Sequence, residues 1–120
     1  MTLFEKLFLA HMIGDWMLQT EYMATYKARG SFFNRALISH CVLYCVPFTL
    51  LTCVTSLKPT WLALLFASHM LIDRRWPVEW WIHVVMRTST DTLRTLPWLI
   101  IVVDQVMHII VLMLIARTSL

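Results

Sequence analysis

Four stretches of the chain are almost wholly apolar: residues 3–19, 36–57, 60–73 and 97–116. Polar residues break them at few places, without the strict alternation of a half-exposed strand. The pattern predicts four helices, joined by segments with a different texture. Lys58-Pro59 ends the second stretch, and Pro97 stands where a first helical turn tolerates proline. The second and fourth stretches reach the roughly 20 residues that a membrane span needs. The first and third are shorter and call for a thinned bilayer or polar flanks that complete them. The 20–35 connection is polar and aromatic. The 74–96 connection interleaves Trp76, Trp80, Trp81 and Ile82 with Glu79, His83 and Arg87. That mixture predicts an amphipathic helix over about 78–88, lying at the membrane surface or packed over the bundle as a lid.

Composition turns these helices into a membrane protein. Of the 120 residues, 59% are hydrophobic and 14% charged, and mean hydropathy is +0.69. A soluble domain is nearer one quarter charged, and a chain this short cannot hide so much apolar surface from water. The expectation is an all-α integral membrane four-helix bundle with one interfacial helix, built as a single domain over 1–120. Its opening stretch lacks the basic start and small-residue cleavage site of a secretory leader.

The net charge of +3 changes the picture only through its distribution. Lys27, Arg29 and Arg35 flank the first connection, and Arg74, Arg75, Arg87 and Arg94 lie in the third; together they are seven of the ten Lys and Arg. This is a positive-inside bias rather than a nucleic-acid footprint. It places loops 20–35 and 74–96 in the cytoplasm, with both termini outside, in a multi-pass cell (inner) membrane protein. Cys41, Cys45 and Cys53 share one apolar stretch and read as small core residues rather than a disulfide framework.

The candidate chemistry lies in what interrupts the apolar stretches. His11 and Asp15, His69 and Asp73, and Asp104 and His108 each stand four residues apart, and His40 interrupts the second stretch. Four residues is about one helical turn, so each pair shares a face. Ionisable groups within a span are expensive and mark function by default. Counted back from the cytoplasmic ends at about 1.5 Å per residue, Asp15, His40 and His69 lie roughly 6 Å deep. His11 and Asp104 lie roughly 10–12 Å deep and His108 roughly 16 Å, with Asp73 at the interface. Imidazole and carboxylate suit a divalent metal such as Zn or Mn. The candidate ligands are His11, Asp15, His40, His69, Asp73, Asp104 and His108. Seven exceed one tetrahedral shell, which leaves room for two metals or for carboxylates that orient histidines. Asp15 and Asp104 are the candidate catalytic carboxylates. Gly14, beside the first pair, invites close approach of another helix. Ser39 and Ser68 precede histidines but lie outside any Gly-x-Ser-x-Gly elbow.

At these residues the chain resembles the uncharacterised bacterial and phage membrane-protein family called domain of unknown function 3307. The elements that carry the resemblance are His11-Met-Ile-Gly14-Asp15-Trp-Met-Leu-Gln19, His40, His69-x-x-x-Asp73-Arg74 and Asp104-Gln105-x-x-His108. It implies an integral membrane protein and supplies no activity. A weaker similarity is to inner-membrane metal-dependent hydrolases, whose full histidine pattern this chain lacks.

The functional expectation is a metal-dependent hydrolase of a lipid or lipid-linked substrate, reached from the cytoplasmic leaflet. The alternatives are a small metal-ion or proton transporter or channel, or a non-catalytic phage or bacterial membrane protein in which the His/Asp set is interhelical glue. The expected partners are the lipid bilayer, a lipid-type substrate and further copies of the chain.

Overall fold

The computed structural model describes residues 1–52 and 58–119. All regular structure among them is helical. Helix α1, Leu3–Met12, is started by a capping box: Thr2 Oγ1 accepts from the Glu5 backbone N–H, while the Glu5 carboxylate accepts from that of Thr2. It then widens into a π-helical turn, Ile13–Met17, closed by Leu18 N–H on the Ile13 carbonyl at 3.0 Å. Helix α2 spans Glu21–Tyr26, α3 Arg35–Thr52 and α4 Pro59–Asp73. Helix α5, Trp76–Trp80, runs into a second π-helical turn, Trp81–Val85. Helices α6, Thr90–Thr95, and α7, Trp98–Thr118, complete the order.

The four apolar stretches are the four main helices, with shifted ends. The first stops at Met17 rather than residue 19, and α7 extends to Thr118. The end of the second stretch, including Cys53, lies outside the described residues; Cys41 and Cys45 are free thiols. The amphipathic helix placed at 78–88 occupies Trp76–Val85 instead. It starts earlier because Pro77 fits a first turn. It ends earlier because Arg87, at φ 54°, is left-handed and His83 Nδ1 lies 2.8 Å from the Thr88 carbonyl. Val78 and Ile82 are fully buried against Ile72 and Leu93, with α7 residues around them, so this helix packs on the bundle. Helices α2 and α6 stand where only connections were expected.

α1 packs on α3 and α7, and α4 packs on α3 and α7. Gly14 makes the closest approach: a Cβ there would meet the Tyr44 carbonyl oxygen at 2.9 Å. Helices α3 and α7 are long and apolar enough to cross a membrane. The outer surface of α7 is apolar, with Ile101, Val106, Ile110 and Leu114 about half exposed, whereas its buried side carries His108. A continuous row of half-exposed aliphatic side chains is a surface fit for an apolar surround.

A polar cluster inside the four helices

His11, Asp15, His40, His69, Asp73 and His108 are all buried, none more than 4% exposed. Asp73, which helical counting leaves at the end of its span, is among the most enclosed at 1%. Asp104 stands at the cluster's edge with its side chain 16% exposed.

Two groupings emerge. In the first, four atoms converge from three directions: Asp15 Oδ1 from the π-helical turn, His40 Nε2 from α3, and His69 Nε2 and Asp73 Oδ2 from α4. His40 Nε2 lies 2.9 Å from Asp73 Oδ2, 3.0 Å from His69 Nε2 and 3.1 Å from Asp15 Oδ1. His69 Nε2 lies 3.3 Å from Asp73 Oδ2 and 3.8 Å from Asp15 Oδ1. Ligands on a tetrahedral ion with bonds of 2.0–2.1 Å stand about 3.3 Å apart. Two imidazole nitrogens this close cannot both carry a proton aimed at the other; a cation among the four atoms would satisfy all of them. In the second grouping Asp15, Asp104 and His108 bring donor atoms within 4.8 Å of one another.

The surrounding bonds fix several tautomers. The Gln105 amide donates to Asp15 Oδ2 at 2.8 Å and to Asp104 Oδ2 at 3.1 Å, so its Oε1 is an acceptor. That oxygen takes Trp16 Nε1–H at 3.1 Å and lies 2.9 Å from His11 Nε2, which therefore carries the proton. His11 Nδ1 then accepts from the Tyr44 hydroxyl at 3.0 Å. His108 Nδ1–H donates to the Asp104 carbonyl at 2.9 Å, and its Nε2 lies 3.7 Å from Asp73 Oδ1. Neither of those two buried atoms has a hydrogen-bond partner. His40 Nδ1 and His69 Nδ1 also lack one, so protein contacts leave these two tautomers free to follow whatever sits between their Nε2 atoms.

Of the seven candidate ligands, six fall in these groupings. His11 lies in the same interior, but Tyr44 and Gln105 occupy its ring nitrogens. Gln19 lies past the end of the π-helical turn, yet it lines the same cavity as Asp15. His83 lies outside the cluster and is exposed.

Four participants carried no sequence signal of this role. Lys27, which had counted as a topology charge, is 9% exposed and aims its ammonium at the cluster: Nζ lies 2.8 Å from Asp73 Oδ2, 3.5 Å from His40 Nε2 and 3.9 Å from Asp15 Oδ1. Arg74 holds the chain that positions Lys27, donating to the carbonyls of Gly30 at 2.8 Å and of Arg29 and Ser31 at 3.2 Å. Asn34 Nδ2 donates to the carbonyls of Lys27, Arg29 and Ser31, and its Oδ1 accepts from Leu37 N–H at 2.8 Å, which caps α3. Tyr44 lays its ring on that of His69, centroids 3.5 Å apart and planes within 4°.

A cavity of about 240 Å³ opens beside the cluster, lined by Asp15, Asp73 and Asp104, by Lys27 and Arg75, and by Trp16 and Ile101. The donor set is oxygen and imidazole nitrogen, which fits a hard or borderline divalent ion.

No curated protein and no solved structure matches the chain. Residues 3–120 match the family described as protein of unknown function (DUF3307), and the chain belongs to that family.

Proposed function

We propose that the protein is a membrane-embedded, metal-dependent hydrolase whose substrate is a lipid or lipid-linked molecule. The observation that carries this reading is the convergence of Asp15, His40, His69 and Asp73 at ligand spacing, next to a cavity lined partly by apolar side chains. Four spans with termini outside and the 20–35 and 74–96 segments cytoplasmic would put that cavity in the cytoplasmic half of the bilayer. The outward apolar surface of α7 supports a lipid surround.

The chemistry assigned to the site is hydrolysis at a polarised ester. Asp15, His40, His69 and Asp73 would hold the ion, Zn²⁺ or Mn²⁺ in type, which would supply Lewis-acid polarisation there. Asp104, at the border between cluster and cavity, takes one proton from the attacking water. The water oxygen bonds to the electrophilic centre, the bond to the leaving oxygen breaks, and that proton passes to the leaving oxygen.

A second reading, an ion or proton path, is favoured by the Lys27–Asp73 contact, since a buried ammonium already balances one carboxylate. Against it stands the apolar layer of Leu7, Phe48, Leu65, Leu112 and Ile115 beyond His69 and His108, which offers a moving ion no polar partner.

Purified protein in nanodiscs should hold stoichiometric divalent metal. Asp15→Asn and His69→Ala should each lose it and His83→Ala should keep it. Asp104→Asn should abolish hydrolysis across a lipid-ester panel while leaving a folded bundle. Metal retained by both ligand variants would reject the shared site. Metal-dependent flux through liposomes without hydrolysis would promote the ion path.

A further inference from the structure

The cavity has chemical features that hydrolysis alone does not require. Three acidic residues, Asp15, Asp73 and Asp104, and two basic ones, Lys27 and Arg75, are among those that line it. With neutral histidines this leaves one net negative charge, and a divalent ion converts it into one net positive charge. Lys27 is already engaged by Asp73 at 2.8 Å. Arg75 has no ion-pair partner among the described residues, although it follows directly on Asp73 and Arg74. Its backbone is left-handed, φ 63°, where the chain turns from α4 into α5. Arg75 thus brings to the cavity-lining residues a guanidinium, a planar donor fork, with no carboxylate assigned to it. Such a fork matches the geometry of a phosphate. The Asp73 Oδ1 atom, buried and unpartnered, also belongs to the cavity-lining residue set.

The remaining wall is apolar. Trp16 is 53% exposed and Ile101 49%, and both face outward from the π-helical turn and α7. A ligand whose polar end meets Arg75 and the ion therefore leaves along a path of apolar side chains open to the bilayer.

From this juxtaposition we infer that the site binds a phosphate-bearing amphiphile in a metal-dependent manner, its phosphate held by Arg75 and the cluster's ion and its acyl part lying along Trp16 and Ile101. The inference rests on the metal site proposed above and names its substrate class. The charge balance makes the ion a requirement for the anion, and the apolar wall distinguishes a lipid headgroup from free phosphate.

The test uses the full chain in neutral phosphatidylcholine nanodiscs, with metal content measured in every sample. Calorimetric titrations compare short-chain phosphatidic acid, inorganic phosphate and short-chain diacylglycerol, for metal-loaded and chelator-stripped protein. The expected result is saturable binding of phosphatidic acid by the metal-loaded form alone, at least tenfold tighter than inorganic phosphate or diacylglycerol. Arg75→Gln should keep the metal and weaken phosphatidic acid binding about tenfold. Arg94→Gln, on exposed α6, should change neither. Equal affinity for inorganic phosphate would overturn the lipid part, and equal affinity for diacylglycerol would overturn the phosphate part. Unchanged binding by the stripped protein, or by Arg75→Gln, would overturn the inference. Bound metal without phosphatidic acid binding rejects this inference and leaves the metal site standing. Absence of bound metal from the unaltered protein rejects the metal site itself.

Discussion

The same four helices build two unlike interiors. At one end Asp15, His40, His69, Asp73 and His108 exclude solvent around charges and imidazoles. About one turn further along, Leu7, Ala10, Phe48, Leu65, Leu112 and Ile115 form a purely apolar layer. Tyr44 belongs to both: its ring packs on Phe48 at 4.7 Å between centroids, and its hydroxyl bonds His11. Burial is equally complete in the two regions, so burial does not distinguish site from scaffold here. The difference lies in what a substitution leaves behind. An apolar layer that loses a side chain keeps a cavity. A polar cluster that loses one keeps an uncompensated charge or lone pair.

The polar region is most vulnerable at Asp73. Asp73→Ala strands the Lys27 ammonium and removes an oxygen from the four-atom grouping. It should abolish metal binding and destabilise the metal-free bundle by about 3–5 kcal/mol, read by denaturant unfolding in detergent beside metal analysis. Phe48→Ala tests the other region. It should cost about 3 kcal/mol through the cavity it opens, yet leave metal stoichiometry intact. Loss of metal in Phe48→Ala with the fold retained would show that the two regions are one unit. Gly14→Ala probes their junction: its Cβ meets the Tyr44 backbone, so the π-helical turn must move away from α3, at about 1–3 kcal/mol. Because Asp15 rides on that turn, metal affinity should fall as well. The smallest expected effect is from Arg74→Ala. It frees the Gly30 carbonyl and leaves Asn34 alone on those of Lys27, Arg29 and Ser31, which loosens the segment that carries Lys27, for about 1 kcal/mol or less, with a measurable change in metal affinity.

The apolar stretches were legible because helix formation and lipid compatibility depend on residues near each other in the chain. The His/Asp pairs were legible for the same reason, since i and i+4 side chains share a face whatever the fold. The structure brings six of the seven candidate residues into two overlapping groupings. Its departures are equally instructive. The π-helical turns shift phase by hydrogen bonds that close one residue later, a choice that apolar periodicity leaves open. The amphipathic helix was visible as a pattern, but its packing against Ile72 and α7 rather than away from them depends on distant partners.

What the sequence determined by itself is the helical class, the approximate places of the four main helices and the set of titratable groups they would carry inward. Those follow from local propensity, from the excess of apolar residues and from helical geometry. Only the tertiary structure decided which nitrogen and oxygen atoms meet, that Lys27 enters the cluster, that His11 is engaged by Tyr44 and Gln105, and that Arg75 borders the cavity. Lys27 reaches Asp73 across 46 residues, and Gln105 reaches Asp15 across 90. Contacts of that range are set by how helices dock and by which buried charges can be balanced there, and neither is written in any one stretch of the chain.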